Sequence, residues 1–213
     1  MSCTSPHDDR PISFHINNPS VKQKYAFHSA GNKGAGGALR PGPGGGLLAL
    51  VVAANPDAPE GAERPTAIGL HKFKVDGTMD GGIRWVQKDP NAFLSYPQLV
   101  YLGHLSGTHR YLLGWAVMRE LDNPDDQPSL SKSYDIPWEY YVMEIDDEGN
   151  ALTEPERVDG SGWGEKDEMV SLGQGKVAWA YIEDSTLNTP YGAIAPPCNV
   201  NRLQLSVYTS DFQ

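Results

Sequence analysis

The residues best equipped for chemistry in this chain are carboxylates, and they fall in three groups. Asp122, Asp125 and Asp126 stand in LDNPDDQ, Asp146, Asp147 and Glu148 in DDEGN, and Glu165, Asp167 and Glu168 in GWGEKDE. Clustered carboxylates hold Ca2+ or, when two face each other across a cleft, run glycosidic acid and base catalysis. None has the Asp-x-Asp-x-Asp-Gly spacing that wraps calcium in a compact loop, so the groups read first as a solvated acidic rim. Two tryptophans lie near such acids: Trp163 in GSGWGEKDE, where no strand period buries it, and Trp138 in PWEYY. An exposed indole beside carboxylates suits a sugar platform or a partner anchor. Trp163, Trp138, Asp122, Asp126 and Glu165 are therefore the candidate ligand-binding residues, the alternative for Trp163 being a ring tucked back onto a sheet.

Other chemistry has thinner support. His104 and His109 share the hairpin segment GHLSGTHRY. Two imidazoles there suit a metal, but no third ligand or helical spacing accompanies them, and they read as surface histidines. The run GNKGAGGALRPGPGGG has the composition of a phosphate cradle, yet Pro41, Pro43 and a strand follow it where a helix is required, so it reads as a mobile loop. No Gly-x-Ser-x-Gly elbow occurs. Cys3 and Cys198 are open between free thiols and one staple joining the ends, and zinc held by cysteine is unsupported. No catalytic or metal-ligating residue is assigned; the expected cofactor is none, with calcium as the alternative.

The elements that position these residues must be strands. Hydrophobic residues make up 39% of 213, with 23 glycines, 17 prolines and a mean hydropathy of -0.46, so apolar residues arrive in short runs between many turns. The longest run, LLALVVAA at 47–54, is strand-sized and far short of a membrane-spanning helix. MSCTSPHDDRPISFHI has no basic segment followed by an apolar core, so no secretory signal is read. Residues 1–89 hold 10 basic against 8 acidic side chains and residues 90–213 hold 7 against 19, leaving -12 in the second part. That sign repels phosphate backbones and anionic lipid, which argues against nucleic acid and membrane as partners.

A short pattern recurs along the chain. VYLGHLSGTHRYLLGWAV at 100–117 and VSLGQGKVAWAYIED at 170–184 both run from an apolar stretch through Leu-Gly and a polar turn to an apolar stretch with tryptophan. Leu102-Gly103 and Leu172-Gly173 are 70 residues apart, as are HKFKV at 71–75 and YVMEI at 141–145; LQLSV at 203–207 lies 62 further on. This lays Phe73, Met143 and Leu205 over one another, then Val75, Ile145 and Val207, and places Trp115 opposite Trp179 in packing between sheets. PQLVYLG, RYLLGWAVM, EYYVMEI and ALTEPERV then form one four-stranded meander. The preceding unit offers QKYAFHSA, LLALVV, IGLHKFKV and GGIRWV, and the following one DEMVSLG, KVAWAYI and RLQLSVY. The last unit is one strand short, and ISFHI at 12–16 is a spare strand able to latch it. Pro-rich inserts at 121–138 and 183–199 read as loops.

A Pro-x-Leu-Val strand before RYLLGWAVM, and a following strand that ends in IDDEGN, resemble the repeat of large bacterial secreted proteins whose blades carry a Tyr-Leu-Val-x-Trp strand and an Asp-x-x-Gly turn. The match is best over residues 97–158. The resemblance implies a β-propeller and a secreted or cell-surface setting, and implies no particular catalytic residues. The expected architecture is thus one all-β domain over 1–213 with propeller-like four-stranded blades at about 20–90, 97–158 and 168–213. The alternative is a β-sandwich. Propellers close with about four to eight blades, so three leave an arc with two exposed apolar faces, to be completed by another copy or another chain. The function expected is noncatalytic binding or scaffolding, recognising carbohydrate or protein through loops on one face. A propeller-type glycoside hydrolase or lyase with paired carboxylates, and an interaction subunit of a heteromeric assembly, are the alternatives.

Overall fold

The computed structural model describes residues 36–57, 66–90, 92–119, 139–158, 163, 168–183 and 202–211. Eleven strands lie among them: β1 (Gly36–Pro41), β2 (Leu47–Ala54), β3 (Thr66–Phe73), β4 (Arg84–Lys88), β5 (Ala92–Leu105), β6 (Thr108–Arg119), β7 (Glu139–Asp146), β8 (Glu156–Val158), β9 (Val170–Gly173), β10 (Lys176–Glu183) and β11 (Arg202–Thr209). Each pairs antiparallel with its sequence neighbour, giving three meanders: sheet 1 of β1 to β4, sheet 2 of β5 to β8, and sheet 3 of β9 to β11. The protein is all-β, in three sheets where a sandwich has two. QKYAFHSA, ISFHI, Cys3 and Cys198 lie outside the described residues.

The glycine-rich run is not wholly the loop its composition suggests. Its second part forms β1, paired with β2 from Leu39 opposite Ala49 to Pro41 opposite Leu47. Ladder hydrogen bonds use backbone alone, and Pro41 is tolerated because β1 is an edge strand. The Arg40 side chain then fastens this edge to sheet 2, its Nε donating to the Leu99 carbonyl at 2.7 Å.

The Leu-Gly dipeptides mark one feature in two sheets. Leu102 is an extra residue between the Tyr101–Tyr111 and Gly103–Arg110 pairs, and Leu172 is extra between Ser171–Val177 and Gly173–Lys176. Both are β-bulges, and Gly103 (φ 148°) and Gly173 (φ 80°) supply the positive φ. Matching the ladders outward from these bulges corrects three alignments. Leu113, not Trp115, is the counterpart of Trp179. The β3–β4 and β7–β8 turns match at an offset of 72, since the Gly77 amide donates to the Lys74 carbonyl as Gly149 does to Asp146. In β11, Leu205 matches Val142 and Val207 matches Glu144, one residue away from the sequence alignment. A slip of one residue in a strand changes the face on which every side chain lies.

The sheets stack in chain order, front to back. From β6, Tyr111, Leu113, Trp115 and Val117 pack on Leu48, Leu50, Val52, Ile68 and Leu70 of sheet 1. The alternate residues Leu112 and Ala116, with Val100, Leu102, Tyr140 and Val142, pack on Met169, Val177 and Trp179 toward sheet 3. Full burial of such a side chain is worth roughly 1.5–3 kcal/mol, so these two interfaces dominate the stability of the stack. The expectation that Trp115 and Trp179 pack between sheets holds. The backbones of neighbouring sheets come closest along β5, which meets β1, β2 and β3 on one side and β9 and β10 on the other.

Candidate functional site

The two ends of the stack differ. At one end the connections are tight: Ser106-Gly107 (φ 51° and 82°) and Gln174-Gly175 (φ 51° and 72°) are type I′ hairpin turns. At the other end the strands lead into and out of the connections 55–65, 120–138, 159–169 and 184–201. Asp122, Asp126 and Trp138 belong to the connection from β6 to β7, and Glu165 to that from β8 to β9. All four are outside the described residues, so the strands fix only the end of the stack at which their connections begin and finish.

Trp163 is corrected from platform to core. It is 0% exposed, packed between sheets 2 and 3 with its ring centroid 5.0 Å from Tyr140 and 5.8 Å from Trp179, both in edge-on geometry. Its Nε1–H donates to the Tyr96 carbonyl at 2.8 Å, which satisfies the one polar atom of a buried indole. Space for the ring comes from β6: a Cβ on Gly114 would stand 2.8 Å from Trp163 and 2.7 Å from Met169. Glycine context alone suggests exposure, because the gap that receives the ring lies at Gly114 of β6, remote in sequence.

The acids of DDEGN are occupied in structure. Asp146 caps its turn, accepting from the Glu148 and Asn150 amides at 2.9 and 2.8 Å and from the Asn150 side chain at 2.7 Å. Asp147 and Glu148 pair with Lys72 of sheet 1, Asp147 at 2.8 Å. Burial pulls the Lys72 ammonium down, but the hydrogen bonds and charges of these two acids outweigh it and hold it above the ordinary lysine value. Arg84 reaches Asn150 from β4.

One acidic residue that the sequence did not single out is more deeply placed. Glu144 is 2% exposed on the front of sheet 2, accepting from Arg110 Nη1 at 3.2 Å and from the Tyr208 hydroxyl at 2.9 Å. Burial first, and then the bond to Glu144, raise the Tyr208 hydroxyl above its ordinary value. Glu144 occupies the ladder position of Lys72, so at this position each of the first two sheets reaches forward with a charged side chain to hold the next. A glutamate between Met143 and Ile145 reads as solvent-facing unless a further sheet stands in front of it.

On sheet 3 no described strand stands before that front face. Val170, Leu172, Leu205 and Val207 are 55%, 57%, 68% and 50% exposed, whereas their counterparts Val100, Leu102, Val142 and Glu144 are at most 4% exposed. The expectation of two open faces fails at the other end. On the back of sheet 1, Ala49, Val51 and Phe73 are at most 3% exposed and pack with Leu47, Met79 and Ile83. No protein-family model, curated protein or solved structure matches this chain.

Proposed function

We propose that this chain is a noncatalytic binding or scaffold protein of β-propeller type, an arc of three blades completed by a sheet from another chain. Recognition of carbohydrate or protein falls to the loops at the long-connection end, in a secreted or cell-surface setting. The observation that carries the reading is the front of sheet 3, apolar and open at Val170, Leu172 and Leu205, the positions that bury Val100, Leu102 and Val142 between sheets. Such a patch on a chain with -10 net charge is an association surface. Stacking through β5 also supports the reading, since blades approach one another along their inner strands. Asp146, Asp147, Glu148 and Glu144 serve turns, ion pairs and hydrogen bonds between sheets, so the hydrolase alternative is not built on these four.

The sheet that fits would present an aromatic back face, as sheet 3 presents Trp179 to sheet 2. Three strands about 4.8 Å apart and some 20 Å long offer roughly 300 Å² per partner, well below a standard interface. Association through this face alone is accordingly weak. The test is light scattering across 10–500 μM with Leu172→Lys/Leu205→Lys beside the parent. Concentration-dependent mass in the parent, lost in the variant at unchanged melting temperature, is the expected result. A parent that stays monomeric throughout and does not bind a dye specific for apolar surface overturns the arc. A glycan array read with Trp138→Ala tests the loop end separately: the expected result is parental binding that the substitution removes, and an empty array rejects carbohydrate.

A further inference from the structure

The short-turn end of sheet 2 carries a pair of side chains with chemistry of their own. The type I′ turn at Ser106-Gly107 sets the register of the β5–β6 hairpin and makes His104 and His109 direct cross-strand partners. Their imidazoles lie on the same face, ring centroids 4.6 Å apart, with His104 exposed and His109 half-buried. Tyr101, three residues before His104, also faces this pair. Its hydroxyl is 3.2 Å from His109 Nδ1, and its ring lies 5.9 Å from that of His109 and 5.2 Å from that of Tyr111.

We propose that His104 and His109 form a two-imidazole site for a borderline transition metal, Zn2+, Ni2+ or Cu2+. Imidazole nitrogens bind such an ion at about 2.0–2.1 Å, which puts two of them roughly 3.3 Å apart in tetrahedral geometry. Two rings already 4.6 Å apart across a hairpin, tilted at 45°, reach that separation by side-chain rotation, and the paired backbone bears the cost of ordering them. Tyr101 supplies what a ligating histidine requires behind it. With His109 Nδ1–H donating to the hydroxyl oxygen, Nε2 keeps its lone pair and the ring is fixed in orientation. Among the described residues no third histidine, cysteine or carboxylate joins the group, so the remaining positions on the ion are left to water or to an acidic side chain from outside. Half the ligand set of a structural zinc site implies a Kd of roughly 10–100 μM.

The proposal does not depend on propeller closure. The experiment titrates Zn2+ into the untagged full chain by calorimetry, with parent, His104→Ala, His109→Ala and the double variant, and records the Cu2+ electron paramagnetic resonance spectrum of each. One equivalent bound by the parent, affinity at least tenfold weaker in each single variant, and a nitrogen hyperfine pattern reduced from two imidazoles to one are expected. Tyr101→Phe should weaken binding about threefold to tenfold without changing the number of nitrogens. Parental affinity in the double variant, within twofold, would place the metal elsewhere, for example on His7, His15 or His28, and reject the site. Absence of saturable binding below 1 mM rejects it too, as does either single variant binding like the parent. Unchanged melting temperatures in the metal-free variants keep these readings separate from unfolding.

Discussion

Glu144 is the residue whose role depends most on its surroundings. A buried carboxylate is tolerated only with partners, and here Arg110 comes from its own sheet while Tyr208 comes from the next. Hydrogen bonds to a charged group are worth about 1.5–3 kcal/mol, so Tyr208→Phe should lower unfolding free energy by about that amount in urea denaturation. A change below about 0.5 kcal/mol would mean that the hydroxyl does not serve Glu144. Lys72 stands at the same ladder position in sheet 1, but its partners Asp147 and Glu148 are more exposed. Its ion pairs therefore contribute less, on the order of 1 kcal/mol or under.

At the scale of elements, β6 receives Trp163 closely at Gly114, on the face of sheet 2 that looks toward sheet 3. Gly114 leaves a vacancy in an otherwise apolar strand, and a tryptophan from outside the regular strands fills it, anchored by the bulged β5 backbone at Tyr96. Gly114→Val should force the ring out and cost roughly 1–3 kcal/mol or more, with red-shifted tryptophan emission at equilibrium. Trp163→Ala should cost about 3–5 kcal/mol by leaving a cavity. If Gly114→Val melts like the parent and its emission is unchanged, the ring is not seated there. The corresponding positions Leu50 and Ala180 carry side chains, so this plug is particular to sheet 2.

For the whole molecule, stability should peak between mildly acidic and mildly alkaline pH, with identifiable groups on each limb. His71, buried on the back of sheet 1 beside Phe73, is lowered by burial from 6.5 to about 4. The folded state thus keeps it neutral while the unfolded chain protonates. Its contribution is complete above about pH 6.5 and is lost as pH falls toward 4, to a total of up to about 3 kcal/mol at 1.36 kcal/mol per unit. Tyr111 is pushed up to about 12, burial first and then the charge of Asp147, while Tyr208 and Lys72 are also raised. Their contributions are complete below about pH 10 and are lost as pH rises through the folded values. Urea denaturation of parent and His71→Leu between pH 4 and 8 checks the acid limb, which should be flatter in the variant. An identical slope in both would remove His71 as its cause.

The chain's own pattern determined β2 to β11 and their order, while β1 lies in a glycine-rich run that composition reads as a loop. Period-2 alternation and glycine-polar turns are local, and both quoted Leu-Gly pairs proved to be local features, bulges that need glycine at a positive φ. The all-β class, the meander of sheet 2 and the burial of Trp115 and Trp179 between sheets were legible for that reason. Everything that depends on which sheet stands in front of which was decided by tertiary structure. Leu205 and Val142 look alike as apolar strand residues, yet one is exposed and the other buried, because sheet 3 stands before Val142 and no described sheet before Leu205. Trp163 looked exposed because the vacancy at Gly114 lies on another strand, and Glu144 looked solvated because Tyr208 comes from a strand 64 residues on. Burial is a property of neighbours, and neighbours in a stack of sheets are remote in sequence.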